Sequence, residues 1–119
     1  MFFVDNAVHI KGGRLIVMDL AGRAVGFVLW APALEPAWFD VGVKRWAELQ
    51  ELHVHPDFQN RGIGTRLVRA AVRQARTAGF EAIYLEAEEM NGAARRTYEK
   101  AGFRPQSRVV RYRIRFGRG

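Results

Sequence analysis

The feature that most constrains the fold is a strand, a glycine-containing turn and a helix in succession between residues 46 and 79. Residues 46–55 are typical of a strand, and Pro56 stops it because proline cannot donate to a β-ladder. Apolar residues then recur at helical spacing over residues 62–78, and Gly79 is suited to end that helix. This order predicts a fold that combines a sheet with helices.

The helix predicted over residues 62–78 has two faces of opposite chemistry. Its apolar face, which we expect to pack on a sheet, gathers Ile63, Leu67, Val68, Ala71, Val72 and Ala75. Its opposite face, which we expect to be solvated, gathers Arg66, Arg69, Arg73 and Arg76.

Elements predicted on either side extend this unit. Residues 2–10 and a hairpin over residues 14–31, turning at 21–23, precede it as strands, joined to it by an irregular connection over residues 32–45. Residues 82–87 form a short buried strand, and Asn91 caps a second helix over residues 92–101. A last half-buried strand is predicted from apolar residues that alternate with arginines: Val110, Tyr112, Ile114 and Phe116. Together these elements predict a mixed α/β sheet with helices packed on its faces.

Length and composition set the class of protein. A chain of 119 residues with 49% hydrophobic and 26% charged side chains predicts one globular domain over residues 1–119. No apolar run approaches the roughly 20 residues that cross a bilayer, so no membrane partner is expected. Residues 1–5 lack the basic region of a secretory signal, which makes the cytoplasm the expected location.

The nucleophiles available to the chain are few. Without cysteine, it has no disulfide, zinc–thiolate site or cysteine nucleophile. The single serine, Ser107, follows Pro105 and lies outside any glycine-flanked nucleophile motif. Any acyl transfer is therefore expected to proceed by direct attack of the acceptor, without an acyl-enzyme.

The net charge of +7 is compatible with three interpretations. It fits a nucleic-acid-binding module, a site for a phosphate-rich cofactor, or a bias toward arginine without functional meaning. Because the aromatic residues are not interleaved with arginines as in RNA-binding signatures, nucleic acid is the less favoured partner.

The turn over residues 59–65 has the layout of an anion site. Unsatisfied N–H groups and the helix dipole attract phosphate at a helix start, Gly62 and Gly64 allow close approach, and Thr65 offers a hydroxyl. A dinucleotide-binding fingerprint needs a glycine where Leu67 stands, and the lysine of a P-loop is absent. The turn alone therefore predicts an anion site of unspecified ligand.

Two segments specify the ligand further. The first reads Val54-x-Pro56-x-Phe58-Gln59-x-Arg61-Gly62-Ile63-Gly64-Thr65. The second reads Leu85-Glu86-Ala87, then Asn91-x-x-Ala94-x-x-x-Tyr98-Glu99-x-x-Gly102-Phe103. In this order they resemble the signature of the GNAT family of N-acetyltransferases, closely over residues 46–103 and loosely beyond them.

The resemblance implies a mixed, largely antiparallel twisted sheet and an acetyl-CoA-dependent transfer of acetyl to a primary amine in a ternary complex. Acetyl-CoA would lie where the strands at residues 49–55 and 82–87 separate, with pantetheine paired to the backbone of Leu52, His53 and Val54. Asn91 would hydrogen-bond pantetheine as well. The pyrophosphate would be held by the turn and the helix start: Gln59, Asn60, Arg61, Gly62, Ile63, Gly64, Thr65 and Arg66.

The resemblance also implies the acid and leaves the base open. Tyr98 matches the family tyrosine that protonates the departing CoA sulfur. Either Glu86 or Glu48 stands where branches of the family place a base. Glu51 points away from Glu48 in a regular strand, unless a bulge intervenes. His53 and His55 have a spacing that can hold zinc, but no third ligand accompanies them, so no metal is expected.

The chain departs from the family pattern before residue 46. Family members carry two helices between their first two strands, and residues 1–46 contain no helical periodicity long enough for them. The acceptor site is therefore either open, built from residues 32–45 with Trp30, Trp38, Phe39 and Trp46, or completed by the second subunit of a homodimer. An alternative function follows: a CoA-binding regulatory protein that lacks turnover.

Overall fold

The computed structural model describes residues 2–7, 12–33, 45–87, 90–106 and 112–117. The elements in chain order are β1 Phe2–Ala7, β2 Arg14–Leu20, β3 Arg23–Pro32, β4 Trp46–Val54, a 3-10 turn Pro56–Phe58, α1 Ile63–Thr77, β5 Ala82–Tyr84 and α2 Gly92–Lys100.

The five strands form one sheet in sequence order, β1-β2-β3-β4-β5. The first three pairings are antiparallel, and β4 pairs with β5 in parallel through the crossover that contains α1. This is the mixed, largely antiparallel sheet expected. Residues 8–13 join β1 to β2, too short a connection for the helix pair that the family usually carries there.

The core lies between α1 and one face of the sheet. The α1 residues Ile63, Leu67, Val68, Ala71 and Ala75 are buried, as the helical spacing predicts. Val72, the sixth predicted apolar residue, is half-buried against the same core. Strand residues that complete the core include Ile16, Met18, Val28, Trp30, Ala47 and Leu49.

The close approach of β3 to α1 depends on Gly26. A Cβ at this position would lie 2.9 Å from the His53 carbonyl oxygen and 3.1 Å from Leu67 Cδ1. Gly26 was not among the predicted residues, although an isolated glycine within a strand pattern is a signal of such a close approach.

The C-terminus of α1 and the N-terminus of α2 are formed as their sequences predict. Gly79 has φ +89°, and the Phe80 N–H donates to the Ala75 carbonyl at 3.0 Å, which closes the end of α1. Asn91 caps α2 by accepting from the Ala94 N–H at 3.1 Å. The predicted arginine stripe on α1 is solvent-exposed, which confirms that assignment.

The predicted C-terminal strand is wrong in the part of it that the structure describes. Residues 112–117 form no regular structure, and Tyr112, Ile114 and Phe116 are 88%, 80% and 90% exposed. Val110 and Arg111 lie outside the described residues. Alternation shows that a segment can form a strand, whereas a strand also needs a neighbouring edge that supplies its hydrogen bonds.

One other predicted strand is shorter in the structure, because β5 ends at Tyr84 instead of residue 87. β1 is described to Ala7, and the remainder of its predicted range lies outside the described residues. Neither described helix has the length and apolar character needed to cross a bilayer.

Candidate active site

The parallel pairing of β4 and β5 ends before β4 does, and we call the space beside the unpaired part of β4 the cleft. Their last paired residues are Glu48 and Tyr84, while β4 continues to Val54. Among the described residues, no strand pairs with β4 beyond Glu48 on its β5 side. Leu52, His53 and Val54 therefore lie on the stretch of β4 that borders the cleft.

A bulge in β4 decides which face its carboxylates occupy. Leu29 pairs with Glu51 and Trp30 with Leu49, so that Gln50 is the extra residue. Glu48 and Glu51 consequently share a face, because their partners Ala31 and Leu29 are two residues apart on β3. Glu51 was predicted to point away from Glu48 only in a regular strand, and the strand is bulged.

This face, opposite α1, is called the far face. Its described members on β2, β3, β4 and β5 include Leu15, Val17, Phe27, Leu29, Trp46, Glu48, Glu51, His53 and Tyr84. The rings of Trp46 and Tyr84 meet edge to face at 5.8 Å, and His53 lies 4.9 Å from the ring of Phe27. The far face therefore combines apolar and aromatic surface with two carboxylates beside the cleft.

Trp30 does not belong to this face, which corrects the proposed acceptor wall. It is 3% exposed on the α1 side, where its Nε1 donates to Gln74 Oε1 at 2.8 Å. It also meets the ring of Phe80 edge to face. Of the four aromatic residues assigned to the wall, Trp46 lies on the far face, whereas Trp38 and Phe39 lie outside the described residues.

The turn before α1 presents backbone donors at the end of the cleft. Asn60 and Gly62 have φ +63° and +78°, and no side chain of the described residues caps the helix start. Its first N–H groups therefore have no side-chain acceptor within the described part of the chain, the condition under which a helix start binds an anion. Arg61 and Arg66 are exposed beside this start, and Ile63 is buried in the core, so that Ile63 offers only its backbone.

The two glycines of the turn serve different purposes. At Gly62 a Cβ would meet nothing within 4 Å, so the positive φ is what requires glycine. At Gly64 a Cβ would lie 3.4 Å from Thr97 Cγ2 of α2 and 3.7 Å from Val54 Cγ2. Gly64 thus brings the start of α1 close to α2 and β4, a role that the motif alone did not indicate.

Side chains fix the turn to the end of β4. Gln59 Nε2 donates to the Val54 carbonyl at 3.2 Å. His55 Nδ1 accepts from the Asp57 N–H at 3.1 Å and caps the 3-10 turn. His55 thus closes the turn beside Pro56. Among the residues that the structure describes, no group of three or more His, Cys, Asp or Glu side chains could hold a metal ion.

Tyr98 lies half-buried on α2, and its ring centroid is 6.2 Å from that of Phe103. Burial raises the pKa of the Tyr98 phenol above its ordinary value of 10.0. The phenol is therefore protonated at neutral pH and is a competent proton donor. Asn91 is exposed at the start of the same helix.

The candidate bases differ in how firmly the backbone that carries them is held. Glu48 is half-buried on the last β4–β5 pair and accepts from Gln50 Nε2 at 3.3 Å. Glu51 is exposed on the same face. Glu86 is exposed beyond the end of β5, so no ladder fixes its orientation. The rigid element therefore carries Glu48 and Glu51.

Residues 3–103 match the model of the acetyltransferase (GNAT) family. The chain belongs to this family. Mycothiol acetyltransferase of Propionibacterium freudenreichii is 37% identical over 100 residues, covering 84% of this chain and 30% of the relative. An uncharacterized N-acetyltransferase of Methanocaldococcus jannaschii is 34% identical over 88 residues, covering 73% of this chain and 37% of the relative. The chain thus spans about a third of the length of these two curated relatives.

Solved structures share the fold of this GNAT chain. The aminoglycoside N-acetyltransferase AAC(6')-Iy in complex with CoA superposes with a TM-score of 0.78 at 20% identity, covering 92% of this chain and 81% of that one. An aminoglycoside acetyltransferase from an uncultured soil metagenomic sample gives a TM-score of 0.73 at 20% identity, covering 93% and 70%. These similarities confirm the GNAT fold that the two motifs predicted.

Proposed function

We propose that the protein is an acetyl-CoA-dependent N-acetyltransferase that acts on a primary amine. The observation that carries the proposal is the uncapped start of α1 at the end of the β4–β5 cleft, in a chain whose residues 3–103 match the GNAT family. The helix start suits the pyrophosphate, and the unpaired stretch of β4 suits pantetheine.

The cofactor would approach along the cleft with its phosphates at the turn. Backbone groups of Leu52, His53 and Val54 would pair with the pantetheine amides. Asn60, Ile63 and Gly64 would contribute backbone N–H groups, while Gln59, Arg61, Thr65 and Arg66 surround the same site. Asn91, whose side-chain oxygen already accepts from Ala94, retains its amide NH2 for a pantetheine carbonyl.

The chemistry we propose is direct transfer in a ternary complex. The neutral acceptor amine attacks the thioester carbonyl, a C–N bond forms, and the C–S bond breaks as CoA leaves. Tyr98, whose phenol is protonated at neutral pH, gives its proton to the departing sulfur as the sulfur gains negative charge. The nitrogen becomes positively charged when the C–N bond forms, and either Glu48 or Glu86 removes a proton from it, directly or through water. Proton transfer through solvent then restores both groups.

The acceptor would lie on the far face. Glu48 and Glu51 would attract an amine that is protonated in solution, and the half-buried Tyr84, packed against the buried Trp46, would supply an apolar wall beside them. A small molecule or a protein would present such an amine. A second subunit that covers this face would complete the site in a homodimer.

Thiol release during turnover tests this function. Acetyl-CoA is mixed with a panel of primary amines, and free CoA is titrated for the native protein and for Tyr98→Phe. We expect turnover in the native protein with at least one amine and its loss in the variant. Calorimetric binding of acetyl-CoA without turnover of any amine would instead support the regulatory alternative, and no binding would exclude both.

A further inference from the structure

Two arginines and a histidine surround the ring of Phe58, the last residue of the 3-10 turn. The guanidinium carbons of Arg61 and Arg23 lie 5.2 Å and 5.6 Å from the ring centroid. His55 meets the same ring edge to face at 5.9 Å. We call these four residues the Phe58 cluster.

The cluster joins two distant parts of the sequence. Arg61 belongs to the phosphate-binding turn, whereas Arg23 begins β3 directly after the β2–β3 turn. They meet because the His55 N–H donates to the Val25 carbonyl at 2.8 Å, which holds the end of β4 beside the start of β3. Arg23 lies outside both motifs that resemble the GNAT signature.

The positive charge of the cluster is not balanced by the described residues. Neither Arg23 nor Arg61 forms an ion pair with a described carboxylate, and both are exposed. Asp57, the acidic residue of the same turn, approaches His55 instead, with Oδ2 at 3.8 Å from Nδ1. Two guanidinium groups held on one ring repel each other, so a bound anion would stabilise this arrangement.

His55 leaves the donors of Arg23 available. Its Nδ1 accepts from the Asp57 N–H, so in the neutral ring Nε2 carries the proton. Arg23 Nη2 is 3.4 Å from Nε2, a contact that engages at most one of the five N–H donors of the guanidinium. The ring of Phe58 therefore holds the guanidinium while its other N–H groups can bind an oxyanion.

We propose that Arg23 is a phosphate-binding residue for acetyl-CoA, positioned by Phe58 beside Arg61 at the start of α1. This inference rests on the proposed function. The shared chemistry is a phosphate group of CoA, either the pyrophosphate or the 3′-phosphate of the ribose. Guanidinium groups suit both because each offers several N–H donors in a planar fork.

Calorimetry with three ligands tests the proposal: acetyl-CoA, its analogue without the 3′-phosphate, and S-acetylpantetheine, which has no phosphate. The variants are Arg23→Ala, Phe58→Leu and the matched control Arg45→Ala. Arg45 is also exposed and also lies over a phenylalanine ring, at 4.5 Å from Phe80, next to the opposite end of α1. Circular dichroism confirms that each variant is folded.

We expect Arg23→Ala to raise the Kd for acetyl-CoA by about two- to five-fold, as an exposed ion pair would, with a smaller effect at high salt. Phe58→Leu should raise it by a similar factor, about that of an exposed cation–π contact. Neither variant should change the Kd for S-acetylpantetheine. The control Arg45→Ala should change neither the Kd for acetyl-CoA nor the Kd for S-acetylpantetheine. The analogue without the 3′-phosphate shows which phosphate Arg23 contacts.

The proposal is overturned if Arg23→Ala behaves as Arg45→Ala does, or if it weakens S-acetylpantetheine as strongly as acetyl-CoA. Both results presuppose that the native protein binds acetyl-CoA. Absence of that binding would instead contradict the proposed function itself, so that the two failures are distinguishable.

Discussion

At the scale of single residues, Tyr98 shows how burial prepares a side chain for chemistry. A half-buried phenol keeps its proton because the ionised form loses solvation, and the desolvation raises its pKa. The same burial holds the side chain in one place on α2, against Phe103. The phenol is thereby both protonated and positioned.

Tyr98→Phe should lower kcat by about 10²-fold or more, because general acid catalysis contributes roughly that factor. The KM for acetyl-CoA should change little, since phenylalanine keeps the ring and its packing. Steady-state kinetics that follow thiol release measure both constants. An unchanged kcat would exclude Tyr98 as the acid, provided that chemistry limits the rate.

The raised pKa of Tyr98 also predicts a pH dependence of stability. Below pH 10.0 the phenol is protonated in the folded and unfolded states, and the contribution is fully present. As the pH rises through the folded-state pKa, the unfolded chain has already released its proton, so the free energy of unfolding falls. Urea unfolding of the native protein and Tyr98→Phe across alkaline pH should show a steeper fall in the native protein.

Substitution of Gly62 tests whether this residue serves the backbone conformation alone or also the binding of acetyl-CoA. Gly62→Ala should lower the free energy of unfolding by roughly 1–2 kcal/mol because φ is +78°, and it should also raise the Kd for acetyl-CoA. Gly79→Ala is the matched control, with φ +89° at the other end of α1. It should cost similar stability and leave the Kd unchanged. Equal effects of the two variants on the Kd would argue against the phosphate site.

At the scale of elements, the close packing of α1 against its neighbours depends on glycines, which have no side chain, at two contact positions. Gly26 leaves room for Leu67, and Gly64 leaves room for Thr97 of α2. The helix therefore fits between β3 and α2 with its first turn directed at the cleft. Side-chain volume at two positions on different elements thus sets the position of the phosphate-binding backbone.

Gly26→Ala should lower the free energy of unfolding by roughly 1–3 kcal/mol, the range for overpacking a core. The added methyl group would meet the His53 carbonyl at 2.9 Å, and backbone cannot move aside as a flexible side chain can. Ala24→Ser, an exposed position on the same strand, serves as the control and should change stability by less than about 0.5 kcal/mol. Urea denaturation compares them, and equal midpoints would contradict the packing argument.

Local patterns predicted the elements that are fixed by local chemistry. The β2–β3 hairpin, both ends of α1 and the Asn91 cap depend on neighbouring residues, and the structure contains all of them. The failed strand at residues 112–117 depends on a distant partner edge, and alternation carries no information about one. The side on which Glu51 lies likewise depends on a bulge in β4, which the regular alternation of a strand does not indicate.

At the scale of the whole molecule, charge is unevenly distributed. The chain carries a net charge of +7, and exposed arginines line α1. The far face includes Glu48 and Glu51, and none of its described members is lysine or arginine. An anionic donor and a cationic acceptor would therefore be attracted to different parts of the protein.

The candidate site was predictable where sequence neighbours form it, as in the turn at residues 59–65. Its remaining parts come from elsewhere in the chain. Arg23 reaches Phe58 only because β3 starts beside the end of β4, and Trp30 faces α1 because of the strand register. Such contacts follow from tertiary pairing, so the motifs alone could not indicate them.

Binding of acetyl-CoA should raise the melting temperature of the protein. At a free ligand concentration of 100 times Kd the folded state gains about 2.7 kcal/mol. S-acetylpantetheine, compared at the same concentration, should give a smaller shift because it lacks the phosphates that the basic turn attracts. Thermal unfolding at low and high salt measures both shifts, and equal shifts for the two ligands would contradict a phosphate contribution.

The parallel pairing of β5 with β4 spans only three residue pairs and closes a long crossover through α1. Such non-local contacts form late in folding, because the entropy cost of closing the intervening loop comes before the stabilising energy of the contacts. β5 is then the strand most readily released, and its amide hydrogens should exchange sooner than those of the β2–β3 hairpin. A cofactor bound along the adjacent strand would slow that release, so the last part of the protein to fold would be the part that its ligand protects.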